Sequence, residues 1–226
     1  MKTMFVLVIT MITFYCSTAQ TFDQQAIQLQ FINHYGKVPQ KSKSTIDGAE
    51  GSPFLYDEWR QMGIQIKDTL VRFDAVKLNL QSTMLEVLYQ GEEKIISSKN
   101  FDQVIAEAKI FVPATKITKA DTPLEGFFEV LGRGDEVVLV RHYIFIKAPN
   151  PQANIVGGPT TYRKLRMTEN YIYNGETLTL IQKKKDLSTH YSEQRDKLNR
   201  YLKEYKTDPK DPMQLLKLVQ HMTPES

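Results

Sequence analysis

The sequence predicts an α+β fold: a mainly antiparallel β-sheet meander, curved or barrel-like, followed by a C-terminal helical hairpin. Two observations lead to this prediction. Over residues 51–182, short runs of β-forming residues alternate with turns rich in Gly, Asp and Asn. Over residues 183–226, the apolar residues recur at helical spacing. Helices segregated after a run of strands indicate α+β, and a sheet of roughly eight to ten strands is expected to curl.

The composition is that of an ordinary folded protein. Hydrophobic residues make up 41% of the 226 residues and charged residues 24%, whereas disordered chains carry fewer apolar side chains. The formal net charge is only +3, with acidic and basic residues mixed along the chain. Such a small excess argues against nucleic acid as a partner, because a nucleic-acid-binding domain shows a basic stripe.

Residues 1–19 have the three-part order of a secretory signal peptide. Lys2 gives a positive start, an apolar run too short to span a bilayer follows, and small side chains precede the end. We expect cleavage between Ala19 and Gln20. Lipidation at Cys16 is the disfavoured alternative, because the residue before that cysteine is not small. The expected product is exported to the periplasm, the cell surface or the medium, with no transmembrane segment in the mature chain.

Residues 20–50 form an N-terminal segment of two parts. Residues 21–35 mix apolar side chains with glutamines and fit either a strand or a helix. Residues 36–50 are rich in Lys, Ser and Gly and almost free of apolar side chains, which is the composition of a flexible tether. Ordered structure is expected to resume at Gly51.

The meander domain, residues 51–182, contains several predicted hairpins. Their turns are expected at residues 67–69, 90–92, 132–135 and 174–175. The strongest of these signals is Asn174-Gly175, because a type I′ turn needs a positive φ at both central residues. Residues 101–108 fit either one helical turn or an edge strand.

The longest predicted strand, residues 137–146, is apolar on both faces. One face carries Val137, Leu139, Arg141, Tyr143 and Phe145, and the other carries Val138, Val140, His142, Ile144 and Ile146. Strands of this kind are covered on both sides. We therefore expect other elements to pack on each face.

Residues 183–226 are predicted to form two helices that cover one face of the sheet. In the first helix, apolar residues recur between charged ones, and Asp186 or Ser188 is the expected N-cap. The second helix begins at Asp211-Pro212, because Asp is a favoured N-cap and Pro is favoured at the first helical position.

No residue pattern assigns catalysis, a metal or a cofactor to the chain. Carboxylates of the C-terminal helix lie among lysines, as on a solvated helix face. The four histidines are scattered and lack metal-ligand spacing. The sequence also lacks a nucleophile elbow and a phosphate-binding glycine loop.

Four residues are candidates for ligand binding. Tyr56 and Trp59 lie in an aromatic-rich stretch, and exposed aromatic side chains often bind sugars or peptides; packing beneath the first hairpin is the alternative. Arg141 and His142 are adjacent in the long strand. For His142, the alternative is a half-buried histidine that pairs across the sheet.

A basic patch is predicted where the last hairpin meets the first C-terminal helix. Its members are Arg163, Lys164, Arg166, Lys183, Lys184 and Lys185. An anionic glycan, a lipid headgroup or an acidic protein would suit such a patch. The alternative is that these charges serve solubility.

Two stretches resemble a known family. Residues 51–59, Gly-Ser-Pro-Phe-Leu-Tyr-Asp-Glu-Trp, followed by Val-Arg-Phe-Asp at 71–74, resemble the opening of uncharacterised exported proteins from Bacteroidota. Lys-Lys-Lys-Asp-Leu at 183–187, which leads into a charged helix, is similar to their C-terminal part. The resemblance implies a bacterial envelope protein and carries no activity or ligand with it.

These observations favour a non-enzymatic binding or scaffolding module of the envelope, whose partner is an envelope protein, a glycan or a lipid. Two alternatives stay open. One is a carrier of lipid or another hydrophobic ligand, which would need a cavity inside the curved sheet. The other is a hydrolase, which would need a deep pocket with two titratable groups close together.

Overall fold

The computed structural model describes residues 24–39, 49–118, 124–149 and 161–223. The predicted signal peptide, its cleavage site between Ala19 and Gln20, and residues 40–48 of the predicted tether lie outside these residues. The strands are β1 (Arg60–Ile66), β2 (Thr69–Asn79), β3 (Met84–Tyr89), β4 (Glu92–Ser97), β5 (Gln103–Ala106), β6 (Lys109–Pro113), β7 (Phe127–Leu131), β8 (Val137–Lys147), β9 (Arg163–Tyr173) and β10 (Leu178–Ile181). The helices are α1 (24–35), α2 (Ala114–Ile117), α3 (Lys184–His190), α4 (Arg195–Tyr205) and α5 (Pro212–Met222).

All ten strands belong to one antiparallel sheet, in the order β10-β9-β8-β7-β6-β5-β1-β2-β3-β4. The strands β1 to β4 form one meander and β5 to β10 another, and the two meet where β1 pairs with β5. The sheet is open, with β4 and β10 at its edges. This architecture confirms the predicted α+β class with a mainly antiparallel sheet and C-terminal helices.

The sheet curls strongly, as the path of the chain before β1 shows. Glu50 pairs with Arg163 on the edge of β9 that faces away from β8, whereas Phe54 pairs with β2 at Asn79. In a flat sheet these two points would be six strand spacings apart, about 29 Å. The four peptide links from Glu50 to Phe54 reach only about 14 Å. The strands from β1 round to β9 therefore wrap back, and residues 49–59 span the remaining gap.

The main hydrophobic core fills the inside of this curl. It draws side chains from β1 to β8, and Phe101, Phe111 and Phe127 are among its largest fully buried members. Phe31 and Ile32 of α1 cover one side of it, so the described part of the ambiguous N-terminal segment is a helix. Because one such buried side chain stabilises the fold by about 1.5–3 kcal/mol, this core is the chief source of stability.

The C-terminal helices cover the other end of the same sheet face, as predicted. Val138 of β8 packs in a second core with Leu187 of α3 and Leu215 of α5. The predicted start of α5 is confirmed, because Asp211 accepts hydrogen bonds from the backbone N–H groups of Met213 and Gln214 at 2.9 and 3.1 Å. The two faces of β8 are both covered here, since Leu139 packs on the opposite side with Phe128 and Tyr171.

The first C-terminal helix differs from its prediction. It is broken into α3 and α4 by a 3₁₀ turn at Ser192–Gln194. It also begins at Lys184 rather than after a cap at Asp186 or Ser188. Asp186 instead lies inside the first turn and accepts hydrogen bonds from the backbone N–H groups of Gln182 and Lys183. A carboxylate one turn into a helix satisfies exposed N–H groups as well as a residue at the cap does.

The hairpin at Asn174-Gly175 is confirmed, but the predicted type I′ turn is wrong. The loop has four residues, and Asn174 Oδ1 accepts hydrogen bonds from the N–H groups of Glu176 and Thr177 at 3.1 and 2.7 Å. This Asx turn replaces the two-residue turn. The type I′ requirement is met instead at the β3–β4 turn, where Gln90 and Gly91 have φ values of 52° and 81°.

Two further segments are settled by the pairing of the chain. The ambiguous segment 101–108 contains β5, an internal strand between β1 and β6 rather than an edge strand. The described ends of the predicted tether contact the sheet: Lys37 exchanges hydrogen bonds with Ile95 of β4, and Glu50 does so beside β9. No helix in the described residues is long and apolar enough to cross a membrane.

Candidate functional site

An apolar block lies exposed on the outer face of β8 and β9. Tyr143 stands directly opposite Met167, and Phe145 directly opposite Leu165. Phe145 is 50% exposed and Met167 is 41% exposed. We call these four side chains the apolar face. It is the continuation of the strand surface that carries Leu139, which is buried.

The local sequence explains why Leu139 is covered by other residues whereas Tyr143 and Phe145 are not. Odd-numbered residues of β8 share the outer face, because side chains alternate along a strand. Val137 and Leu139 lie in a small core with Ala114, Ile117 and Leu124, residues of α2 and of the segment just before β7. Tyr143 and Phe145 lie two and three outer-face pairs beyond Leu139 and are not part of that core.

One end of the apolar face is bounded by a carboxylate network. Glu169 accepts hydrogen bonds from Arg141 Nη1 at 3.1 Å, from the Tyr143 hydroxyl at 3.1 Å and from the Tyr171 hydroxyl at 2.9 Å. Arg141 Nε also donates to the Glu125 carbonyl oxygen at 2.9 Å, and its guanidinium lies 4.2 Å from the centre of the Tyr143 ring. Burial, reinforced by Glu169, raises the pKa of Tyr171 to about 12, so this phenol stays a hydrogen-bond donor at neutral pH.

The opposite end of the apolar face is basic. The next residue pair on the outer face is Lys147 and Arg163. Arg163 Nε lies 3.6 Å from a carboxylate oxygen of the exposed Glu50, and exposed pairs of this kind contribute little energy. An apolar centre with charged groups at both ends is the usual organisation of a protein-binding surface.

The structure separates the predicted candidates Arg141 and His142. Arg141 lies at the end of the apolar face, whereas His142 lies on the inner face, with Nε2 3.0 Å from Oε2 of Glu129 on β7. Lys109 Nζ lies 2.9 Å from the other oxygen of Glu129. The hydrogen bond from His142, followed by that from Lys109, lowers the pKa of the Glu129 carboxyl. His142 thus pairs across the sheet beside the ring of Phe111.

The other two candidates, Tyr56 and Trp59, lie in a third place. The Lys77 ammonium is 4.7 Å from the centre of the Trp59 ring and 4.9 Å from that of Phe54. The Arg60 guanidinium is 4.2 Å from the centre of the Tyr56 ring, and Tyr56 also packs against the main core. A cation of the chain itself therefore lies over one face of each of these rings.

The predicted basic patch is divided by the sheet. Arg163 lies on the outer face, whereas Lys164 and Arg166 belong to the inner one, as their alternation along β9 requires. Arg166 forms an ion pair with Asp57. Lys183 lies apart from them, in a cavity beside β9.

A second polar cluster joins three elements around Glu136. His190 lies between Glu136 Oε1 and the hydroxyl of Thr179, at 3.0 and 3.2 Å. Tyr191 and Thr223 donate to Glu136 Oε2 at 2.8 and 3.1 Å. Burial raises the pKa of the Tyr191 hydroxyl.

The Glu136 cluster has hydroxyl, imidazole and carboxylate groups in series, as in many hydrolases. Glu136 and His190 also line a cavity of about 320 Å³. The hydroxyl-bearing Thr179, however, is not among the residues that line this cavity. Both nitrogens of His190 and both oxygens of Glu136 are taken by partners within the protein, so the cluster acts as a clamp that holds α3 and the end of α5 to the β7–β8 turn.

Local sequence patterns did not predict the apolar face. The alternation of β8 predicted that Tyr143 and Phe145 share a face with Arg141. That Leu165 and Met167 lie opposite them could be known only from the register between β8 and β9.

Among the described residues, no group of three His, Cys, Asp or Glu side chains is arranged to hold a metal ion.

Comparisons with known proteins return nothing similar: no family model, no curated protein and no solved structure matches this chain.

Proposed function

We propose that the protein is an exported, non-enzymatic binding module of the bacterial envelope that engages a partner protein through the apolar face. The observation that carries this proposal is the apolar block on two neighbouring strands, in which Phe145 and Met167 are exposed and Tyr143 and Leu165 are half-buried. Contiguous exposed apolar groups on a folded domain cost solubility and mark interaction surfaces.

A protein suits this surface better than a sugar or a lipid. Leu, Met and Phe side chains offer no hydrogen bonds to sugar hydroxyls, and Arg141 already covers the ring of Tyr143. A carrier would hold its lipid inside the curved sheet, but Phe101, Phe111, Phe127 and other core side chains occupy that space. The apolar face is instead open and flanked by charge, as the centre of a protein interface is.

The expected partner carries acidic groups beside an apolar segment. At one end of the apolar face, Lys147 and Arg163 present positive charge. At the other end, Arg141 is matched by Glu169. The block itself measures only about 10 Å by 14 Å, from the spacing of strands and of residues along them. This is far below the roughly 800 Å² per partner of a stable dimer, so the block is the centre of a transient contact rather than a permanent dimer interface.

Selection from a displayed library of random twelve-residue peptides tests this function. The mature protein is the bait, and the Phe145→Asp variant, which should fold normally, removes binders to other surfaces. We expect enriched peptides that combine apolar residues with Asp or Glu. If the bait enriches nothing beyond the Phe145→Asp variant, or if it binds members of a glycan array or co-purifies with lipid instead, the proposal is wrong.

Export is tested separately. Expression of the full chain in a bacterial host should give a mature protein whose N-terminal residue is Gln20 and which is recovered outside the cytoplasm. A cytoplasmic protein that keeps residues 1–19 would contradict this part of the proposal.

A further inference from the structure

The edge of β9 that faces away from β8 has an unpaired stretch, which we call the gap in its pairing. At one end, Lys164 N donates to the Glu50 carbonyl oxygen at 2.7 Å; at the other, Asn170 pairs with Ile181 of β10. Ladder bonds of an antiparallel strand alternate in direction, and the β8–β9 register is regular throughout. The N–H and C=O groups of Arg166 and Thr168 therefore point away from β8. No strand in the part of the chain that the structure describes pairs with them.

The gap exists because β10 is pulled away from β9. Beyond Ile181, the next two N–H groups, those of Gln182 and Lys183, donate to Asp186 Oδ2 at 2.9 and 3.0 Å. These groups belong to the residues that would have continued the strand. Because the Asp186 carboxylate takes them, the chain turns into α3 and leaves the edge of β9 open.

A loop from the helical region closes the far side of this gap. The buried Asn170 donates from Nδ2 to the carbonyl oxygens of Pro209 and Lys210, both at 3.0 Å. The result is a cavity of about 600 Å³, lined by Thr168, Glu169, Asn170, Ile181, Gln182, Lys183 and Lys210. This volume lies within the range of small-molecule sites. We call this cavity the edge notch.

Two lysines and one glutamate line the edge notch. Lys183 and Lys210 both line it, and neither takes part in an ion pair among the described residues. The carboxylate of Glu169 is bound by Arg141 and two tyrosines of the outer face.

The two nearby aspartates are engaged by backbone N–H groups. Asp186 accepts from Gln182 and Lys183, and Asp208 accepts from the N–H group of Lys210 at 3.0 Å. These carboxylates offset part of the positive charge, but their hydrogen bonds are made within their own turns. Among the described residues, neither carboxylate lies within ion-pair distance of the ammonium group of Lys183 or Lys210.

We propose that the edge notch binds the C-terminal end of a short extended peptide. The peptide main chain pairs with the outward N–H and C=O groups of Thr168, as an added strand does at a sheet edge. Its terminal carboxylate lies between Lys183 and Lys210, where charge-assisted hydrogen bonds are strong. Lys164 and Asn170 are already paired and lie about 20 Å apart at the rise of a β-strand, so the unpaired edge between them admits a segment of only a few residues.

A peptide uses the hydrogen-bonding groups of the edge notch more fully than a simple anion does. An inorganic anion uses only the two ammonium groups and leaves the C=O group of Thr168 without a donor. A peptide unit supplies one N–H and one C=O at the spacing of the ladder. The edge notch lies beside β9 rather than on its outer face, and none of the four residues of the apolar face lines it.

Calorimetric titration of the mature protein with tri-alanine tests the proposal. We expect tri-alanine to bind and its C-terminal amide to bind at least tenfold more weakly. Lys183→Gln and Lys210→Gln should each weaken tri-alanine binding three- to tenfold. Lys184→Gln removes an exposed lysine that does not line the edge notch, and it should leave the affinity unchanged, as should Phe145→Asp.

Three results would overturn the assignment. The first is equal affinity for tri-alanine and its amide. The second is the same loss of affinity in Lys184→Gln as in Lys183→Gln. The third is glucuronate binding as tightly as tri-alanine, which would show a site for any carboxylate and not for a peptide terminus.

Discussion

Arg141 and Glu169 stand directly opposite each other in the β8–β9 ladder, and their side chains meet at 3.1 Å between Nη1 and Oε2. This pair marks the point where the outer face of the sheet changes character. On one side of it, Leu139 and Tyr171 are buried. On the other, Phe145 and Met167 are exposed.

Tyr171 should make the stability of the protein depend on pH in the alkaline range. Its pKa is about 12 in the folded protein against an ordinary 10, chiefly because the phenol is buried. The folded state therefore holds this proton more tightly, and the resulting stabilisation is complete below pH 10 and lost as the pH rises from about 10 to 12. Its size is on the order of 2 kcal/mol.

Urea unfolding of native protein and Tyr171→Phe at several pH values checks this prediction. The variant should lose about 1 kcal/mol at neutral pH, from the missing hydrogen bond to Glu169. Between pH 10 and 12 its stability should fall less steeply than that of the native protein. Parallel pH profiles would show that Tyr171 titrates normally.

Gly126 cannot be replaced by alanine without a large loss of stability. Its φ is +94°, and an added Cβ would lie 2.0 Å from the carbonyl oxygen of His142. Gly91→Ala is a matched control, because φ there is +81° but no atom lies within 4 Å of the added Cβ. We expect unfolding free energy to fall by about 1 kcal/mol in Gly91→Ala and by about 3 kcal/mol or more in Gly126→Ala. Equal losses of unfolding free energy in the two variants would mean that the positive φ alone, and not the contact with His142, makes alanine unfavourable at Gly126.

Lys206 ends α4 in a left-handed conformation, with φ of 48°. Glycine adopts this conformation without steric cost, so Lys206→Gly should raise the unfolding free energy by about 1 kcal/mol. Lys203→Gly removes the same charge from the body of α4 and should lower it by about 1 kcal/mol. Thermal unfolding distinguishes the two, and a loss of stability in Lys206→Gly would contradict the assignment of the helix end.

Glu136 should control how firmly the C-terminal helices are held. Glu136→Ala leaves His190, Tyr191 and Thr223 without their acceptor, at a cost of about 2–3 kcal/mol. Hydrogen exchange should then become faster in α5. Glu193→Ala removes an exposed carboxylate from the same cavity wall and should change stability by less than about 0.5 kcal/mol. Unchanged exchange in Glu136→Ala would mean that core packing alone holds α5.

Regular elements with strong local signals were predictable from the sequence. The alternation over β8 predicted two apolar faces, and Asp211-Pro212 predicted the start of α5, because each signal lies within a few residues. The four-residue strand β5 was ambiguous, since so short a segment has no measurable periodicity. The type of turn at Asn174 depended on which side-chain hydrogen bonds formed, and a dipeptide does not determine that.

The candidate sites could not be predicted from local sequence patterns, because they join residues that are distant along the chain. Phe145 and Leu139 occupy the same face of the same strand, yet only Leu139 is covered, by residues around α2. The edge notch requires Thr168, Lys183 and Lys210 to meet, and the clamp joins Glu136 to residues 54 and 87 positions away. Such sites arise from register and packing between distant segments.

The most direct test of binding at the apolar face is the affinity of a peptide selected against the mature protein. Its dissociation constant should be measured for the native protein, for Phe145→Asp and Met167→Lys, and for Leu88→Asp, which places a charge at an exposed apolar residue of β3. We expect at least tenfold weaker binding for the first two variants and unchanged binding for Leu88→Asp. Equal affinity for all four proteins would contradict the assignment of the apolar face as the binding surface.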